Sequence, residues 1–320
     1  MSLTPEDKIN QLCSSWVTAA QQPTGGIAIG GATEQYRLHR SGIQFHELSY
    51  EGIQAASLGL SQVLLLKGMN TFIDLDHKLF WAWAGEVLLS PQSSLFSHSQ
   101  EEMAINQLFG VCIRASLAGT TPPPQSREDW ERQRKVLELT DFNTRQLTQN
   151  THLILAYLSP TLLEGVLKKV CRQYVDYSGQ VIMAFDVTNV DGRIRHYVPN
   201  DPRRGRCSSL RDLLFLLYND VSDNDLKTRL DGIRQHLSGL DSSVDPFDLL
   251  YSWRSETLHG QTSFPTIGGT LLNIVIMILF NQIRTNYDQL RAETWKNVQK
   301  DIGISRLAGH RSPWSYYPPY

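Results

Sequence analysis

The sequence predicts a mainly α-helical fold, and three observations carry that expectation. Apolar residues recur at helical spacing along most of the chain. Helix-start and helix-stop residues bracket many of those runs. β-favouring segments flank a turn dipeptide in one stretch, which reads as a short hairpin inserted among helices. The 320 residues, 41% apolar and 19% charged, suit a soluble globular protein of one large domain or two ordinary ones. A formal net charge of -2 gives no chain-wide attraction to nucleic acid, so any such binding needs a local basic patch.

The region 1–119 reads as mostly helical, of unassigned fold and role. "TPEDKINQLCSSWVTAAQQ" opens it, with Thr4 as cap, Pro5 at the first helical position and acids in the first turn. The absence of a basic flank and an apolar core argues against a signal peptide. "PTGGIAIGGA" is a glycine loop without the Lys-Ser or Lys-Thr that a phosphate loop requires. "GIQAASLGLSQVLLLKG" reads as a helix, and "TFIDLDHKLFWAW" as a strand running into one. "SQEEMAINQLFGVCIRASLAG" is the clearest helix of this half, with acids near its start and Gly119 at its end.

"TTPPPQ" at 120–125 punctuates the chain, because consecutive prolines cannot continue a helix. It is a domain linker or a long loop within one domain. Beyond it, 126–300 reads as a helical domain. "REDWERQRKVLEL" is a charged amphipathic helix, and 143–175 holds one or two more. "GQVIMAFDVTNVDGRIRHYV" breaks the pattern, its Asp-Gly turn joining two strands. Helices resume at "SSLRDLLFLLYND", capped by Ser208 or Ser209, and continue through "DNDLKTRLDGIRQHLSGL" and "DPFDLLYSWRSETLHG". A long apolar helix is expected from about Gly269 to Leu290. Its most apolar run, "LLNIVIMILF", falls short of the roughly 20 residues a bilayer span needs, so it reads as buried rather than membrane-crossing. The tail 301–320 has no periodicity and reads as loosely ordered, its Trp314, Tyr316, Tyr317 and Tyr320 docking on the protein or stacking on bases.

Chemistry concentrates in "WRSETLHG", Trp253 to Gly260. Asp245 and Pro246 start this helix as N-cap and first position, and Gly260 stops it. In projection Arg254 falls inside the apolar face, between Phe247 and Leu250. A guanidinium there needs a carboxylate, a neighbouring subunit or a bound phosphate. His259 lies about 140° further round and roughly 7.5 Å along the axis. An imidazole titrating near neutrality serves as general acid or base. Arginine and histidine without a metal-ligand cluster suit one reaction well: a base deprotonates a ribose 2′-hydroxyl, which attacks the adjacent phosphodiester while a cation stabilises the charge developing on phosphorus. The structural alternative is Arg254 paired to a core acid and His259 capping carbonyls.

These residues resemble a family. R-S-E-T-L-H at 254–259 is similar to the R-x4-6-H motif of the HEPN superfamily, entered from an amphipathic helix as here, and the resemblance covers 126–300. It implies a helical bundle that dimerises, the two motifs facing each other to form a shared, metal-independent endoribonuclease site, with no cofactor. It also implies RNA as substrate, a toxin or defence role, and an antitoxin or defence partner. Other members have lost catalysis and act as nucleotide-binding or protein-interaction modules. Many family motifs carry Asn directly after the arginine, where this chain has Ser255, a departure that bears on activity more than on fold.

Glu164 stands on another amphipathic helix, placed either to orient Arg254 or His259, as an acid does in some relatives, or to complete a Thr161-x-x-Glu164 capping box. Arg193, Arg195, Arg203, Arg204 and Arg206 form the one concentrated basic stretch, an RNA grip or a solvated loop. "DLDH" at 74–77 lacks further ligands at metal spacing, and no HExxH or Gly-x-Ser-x-Gly motif occurs. The four cysteines are widely spaced with no CxxC pair, which favours a reducing, cytoplasmic setting.

Overall fold

The structure is a computed structural model. It describes residues 43–67, 83–89, 99–118, 150–188, 192–260 and 265–308, with short stretches at 4, 7–11, 14, 28–29, 72–73, 126–128, 130–131, 134–135. The chain is mainly helical with a two-stranded antiparallel hairpin. Among its helices are α1 (Tyr50–Lys67), α2 (Gln100–Ala118), α3 (Thr151–Val170), α4 (Leu210–Leu216), α5 (Asn224–Leu240), α6 (Pro246–Leu258), α7 (Pro265–Ile283) and α8 (Tyr287–Ala308). Ala28–Ile29 (β1) pairs in parallel with Phe72–Ile73 (β2), and Phe185–Thr188 (β3) pairs with Ile194–Tyr197 (β4).

Helix α7 is the centre of the molecule, because its sequence offers no polar face. Every residue from Ile267 to Phe280 is buried, as expected of a helix that is apolar all round. Thr266–Ile283 is long and apolar enough to cross a membrane, yet 83% of it is buried inside the protein. α1 packs on one side of α7 and α3 on another, and α2 packs in turn on α3. The α7–α3 approach needs Gly268, where a Cβ would lie 2.8 Å from both the Ala156 nitrogen and Leu155 Cγ. α5 and α6 lie against each other, α6 also contacts α3 and α4, and β3 rests on α4.

The structure revises three sequence expectations and decides between the two cap candidates of a fourth. The apolar helix starts at Pro265 and ends at Ile283, and a separate α8 follows from Tyr287 after a turn at 284–286. α8 continues through 301–308, where a loose tail was expected. α3 runs unbroken through Pro160, so Thr161 is mid-helix and makes no capping box with Glu164. Ser209, not Ser208, caps α4, accepting from the Asp212 N–H. The segments before and after the proline stretch also share one core: the Tyr50 hydroxyl donates to the Phe280 carbonyl at 3.0 Å, and the Tyr287 hydroxyl to that of Leu48 at 2.8 Å. The proline stretch itself, "DLDH", Cys13 and the aromatic residues of the tail fall outside the described residues.

Candidate functional site

α6 is held firmly at its start. The Asp245 carboxylate accepts from the Phe247 N–H at 2.8 Å and lies 3.2 Å from Arg234 Nη2, while Phe247 and Leu250 are fully buried. Arg234 is layered over the rings of Tyr218 and Phe247, 5.0 and 5.1 Å from their centroids. A few residues on, Arg211 Nε meets the Asp248 carboxylate of the first turn. Just past its end at Leu258 stands Gly260, whose φ of +70° is the left-handed stop that glycine adopts without strain.

The far end is open. Arg254 is 29% exposed, and its Nη2 lies 3.5 Å from Glu164 Oε2 on α3. The other Glu164 oxygen accepts from Lys168 Nζ at 2.8 Å, so one carboxylate is shared by two cations. Ser255 is half-buried, and its carbonyl accepts the His259 N–H at 3.1 Å. His259 caps the helix, exposed to solvent. Between them Thr257 is fully buried, its hydroxyl without a hydrogen-bond partner among the described residues. Trp253 is half-buried against the core, and Tyr251 and Leu258 stand exposed nearby on the same helix. Arg254 and His259 thus share one helix end but not one helix face, about 140° apart. Arg254 is neither sealed nor free: the loose pair with Glu164 leaves guanidinium donors available.

The basic stretch divides. Arg195 crosses from β4 to the fully buried Asp212 at 2.5 Å, where it meets Arg211 Nη1 at 2.7 Å and the Tyr197 hydroxyl at 2.5 Å. Burial, and then donation to Asp212, pushes the Tyr197 hydroxyl well above the usual phenol range. Burial also pushes the neighbouring Cys207 thiol up to about 12, so it is inert near neutrality. Arg206 Nη2 donates to the Ser178 carbonyl at 2.8 Å. Arg193, Arg203 and Arg204 are exposed. His196, paired across the hairpin with Asp186 at 2.7 Å, takes up an acid on the outer face.

Sequence reasoning missed Asp212, Tyr197 and Asp248, and counted Arg211 only as part of the basic stretch. The available signal was an Arg-Asp pair at 211–212 inside "SSLRDLLFLL", a helix otherwise apolar beyond its cap. Among the described residues no three His, Cys, Asp or Glu side chains gather to hold a metal ion. No protein-family profile, curated protein or solved structure matches the chain.

Proposed function

We propose that this protein is a metal-independent endoribonuclease of HEPN type that works as a homodimer. The observation that carries the reading is the state of the α6 end: a half-open Arg254 and an exposed His259 on one capped helix, with Glu164 opposite. His259 takes the proton from a ribose 2′-hydroxyl. The 2′-oxygen then bonds to phosphorus as the bond to the 5′-oxygen breaks, leaving a 2′,3′-cyclic phosphate and a 5′-hydroxyl once the leaving oxygen is protonated. Arg254 balances the charge on the non-bridging oxygens. Glu164 orients Arg254 and Ser255 supports the motif. In the homodimer the two copies of the motif face each other and form one shared site. A toxin or defence role, a cytoplasmic setting and an antitoxin partner belong to the same reading.

A second reading has its own support. Arg254 already has an acid partner in Glu164, and Ser255 stands where many motifs carry Asn. On that reading the domain is a non-catalytic nucleotide-binding, protein-interaction or dimerisation module.

The test is cleavage of a labelled RNA pool in EDTA by the wild type, Arg254→Ala and His259→Ala at matched oligomeric state. The ribonuclease reading expects losses of roughly 10²-fold or more in each variant, and products with 2′,3′-cyclic phosphate ends. Cleavage unchanged in both variants would refute the site.

A further inference from the structure

The segment Val198–Cys207 is built unlike an ordinary solvated loop. Pro199 and Pro202 each fix their own φ. Asn200 sits at φ +62°, the only non-glycine residue with positive φ among the described residues. One oxygen of Asp201 accepts from the N–H groups of both Arg203 and Arg204, at 2.8 and 2.7 Å. These two backbone donors hold the Asp201 carboxyl below its usual range. The Gly205 N–H donates to the Asp201 carbonyl at 2.7 Å, and a Cβ at Gly205 would lie 2.4 Å from that oxygen. The Val198 N–H closes the turn onto the Arg204 carbonyl at 3.2 Å.

The turn is also braced from outside. Val181 N–H donates to the Gly205 carbonyl at 2.9 Å, and Cys207 N–H to that of Gly179 at 2.8 Å. The Arg206 guanidinium is held by Ser178. Three arginines here face one aspartate, and that aspartate is occupied by the backbone. Arg203 and Arg204 are exposed, and among the described residues neither guanidinium has an ion-pair or hydrogen-bond partner. Two adjacent planar forks are therefore displayed on a turn whose backbone is already ordered, which leaves only the two side chains to order on binding.

We infer that Arg203 and Arg204 form a clamp for the phosphodiester backbone of single-stranded RNA, outside the cleavage site. The inference rests on the ribonuclease reading above for the identity of the polyanion. It differs in its division of labour: Arg195 and Arg206 are struts and Arg203 with Arg204 the contacts. The strut from Arg195 runs through Asp212 and Arg211 to Asp248, in the first turn of α6. That chain fixes the base of the hairpin relative to the helix carrying Arg254 and His259. On the ribonuclease reading the occupant is therefore a nucleic acid rather than an acidic protein segment.

The experiment measures anisotropy of a short fluorescein-labelled single-stranded RNA in EDTA, over a salt series, with the full chain in the His259→Ala background. Adding Arg203→Ala and Arg204→Ala should weaken binding roughly tenfold to a hundredfold. The log–log salt slope should become shallower by about 1.4, roughly 0.7 for each phosphate no longer neutralised. Arg203→Lys with Arg204→Lys should keep the slope, which guards against a loop that has lost its shape. Lys296→Ala with Lys300→Ala, an equal loss of charge on α8, should change neither quantity. An unaltered affinity and slope in the alanine pair would overturn the inference, as would no RNA binding by the parent. Displacement of the RNA by poly-glutamate at equal charge would overturn it in favour of an acidic protein partner. Wild-type protein that binds RNA through these arginines without cleaving it would leave the clamp standing and sink the ribonuclease reading alone.

Discussion

Replacing Asp212 by Asn tests the buried polar centre that joins the hairpin to α4 and α6. The substitution keeps the shape and one acceptor oxygen while removing the charge. Asp212 is fully buried, and its partners differ in how easily they can be released to water: Arg195 is 49% exposed at its side chain and Arg211 only 9%. Arg195 can rehydrate, so its share is about 1 kcal/mol or less. Arg211 keeps Asp248 but loses its second carboxylate inside the protein, at about 1.5–3 kcal/mol for a buried charge-assisted bond. The Tyr197 hydroxyl, buried behind β4, keeps an amide acceptor and loses a fraction of a kcal/mol. The sum is about 3 kcal/mol, which lowers Tm by roughly 4–5 °C in a chain of this size. Urea unfolding of Asp212→Asn, Arg195→Ala, Arg211→Ala and the Asp212→Asn/Arg195→Ala pair measures it. The order expected is Arg211→Ala above Arg195→Ala, with the pair less destabilised than the sum of its members. Asp212→Asn within about 0.5 kcal/mol of wild type would refute the argument that this carboxylate organises the cluster.

Gly268→Ala should destabilise by about 1–3 kcal/mol, since the new methyl meets α3 backbone that cannot move alone; a neutral result in urea unfolding would mean that the two helices do not approach closely there. Lys169 and Glu102 form an ion pair with both side chains buried, and the Tyr177 hydroxyl donates to the same carboxylate at 3.2 Å. Glu102→Gln should therefore cost about 3 kcal/mol or more by stranding the ammonium, while Glu102→Leu with Lys169→Met should recover most of it. His46 stacks on Trp295 at 3.8 Å, and burial, with Arg291 close by, holds its imidazole below the usual histidine range despite Glu47. The neutral ring is the folded form, so its contribution is complete above the unfolded value of about 6.5 and is lost as pH falls from there through the lowered folded value. Thermal melts from pH 7.5 to 5 should fall less steeply in His46→Gln than in wild type, and parallel curves would remove His46 from the account.

Much of α6 was legible because its ends are written locally: Asp245 and Pro246 at one, Gly260 at the other, each acting within a turn. The hairpin was legible for the same reason, with Gly192 at φ +77° closing it. What failed were local signals overruled by burial. "SPTLLE" at 159–164 has the look of a helix start, yet the helix passes through it. Ser159 turns its hydroxyl onto the Leu155 carbonyl, and Leu155, Ala156, Ser159 and Pro160 are all buried. The glycines at 268–269 delayed the expected start of α7, although Gly268 is there to admit α3. The break after Ile283 has neither Gly nor Pro to mark it. The Arg254–Glu164 pair was one of two roles the sequence left open for Glu164, whereas Arg195–Asp212 joins different elements and no spacing rule reports such a meeting.

The uneven anchoring of α6 bears on how the candidate site can be tested. Its start has the Asp245 cap, Arg234, the Arg211–Asp248 pair and the fully buried Phe247 and Leu250. Its last turn has the loose Glu164 pairing and the buried Thr257. The start of α6 is therefore the more firmly anchored of its two ends. His259 is exposed and its side chain outside the core, so His259→Ala should shift stability by no more than about 0.5 kcal/mol. Arg254→Ala removes a partly screened pair at 3.5 Å and should stay near 1 kcal/mol. A loss of activity of roughly 10²-fold or more in either variant exceeds what such small changes in folded population can produce. The same substitutions would be uninterpretable at the other end of the helix, where Asp248 and Phe247 support the fold itself.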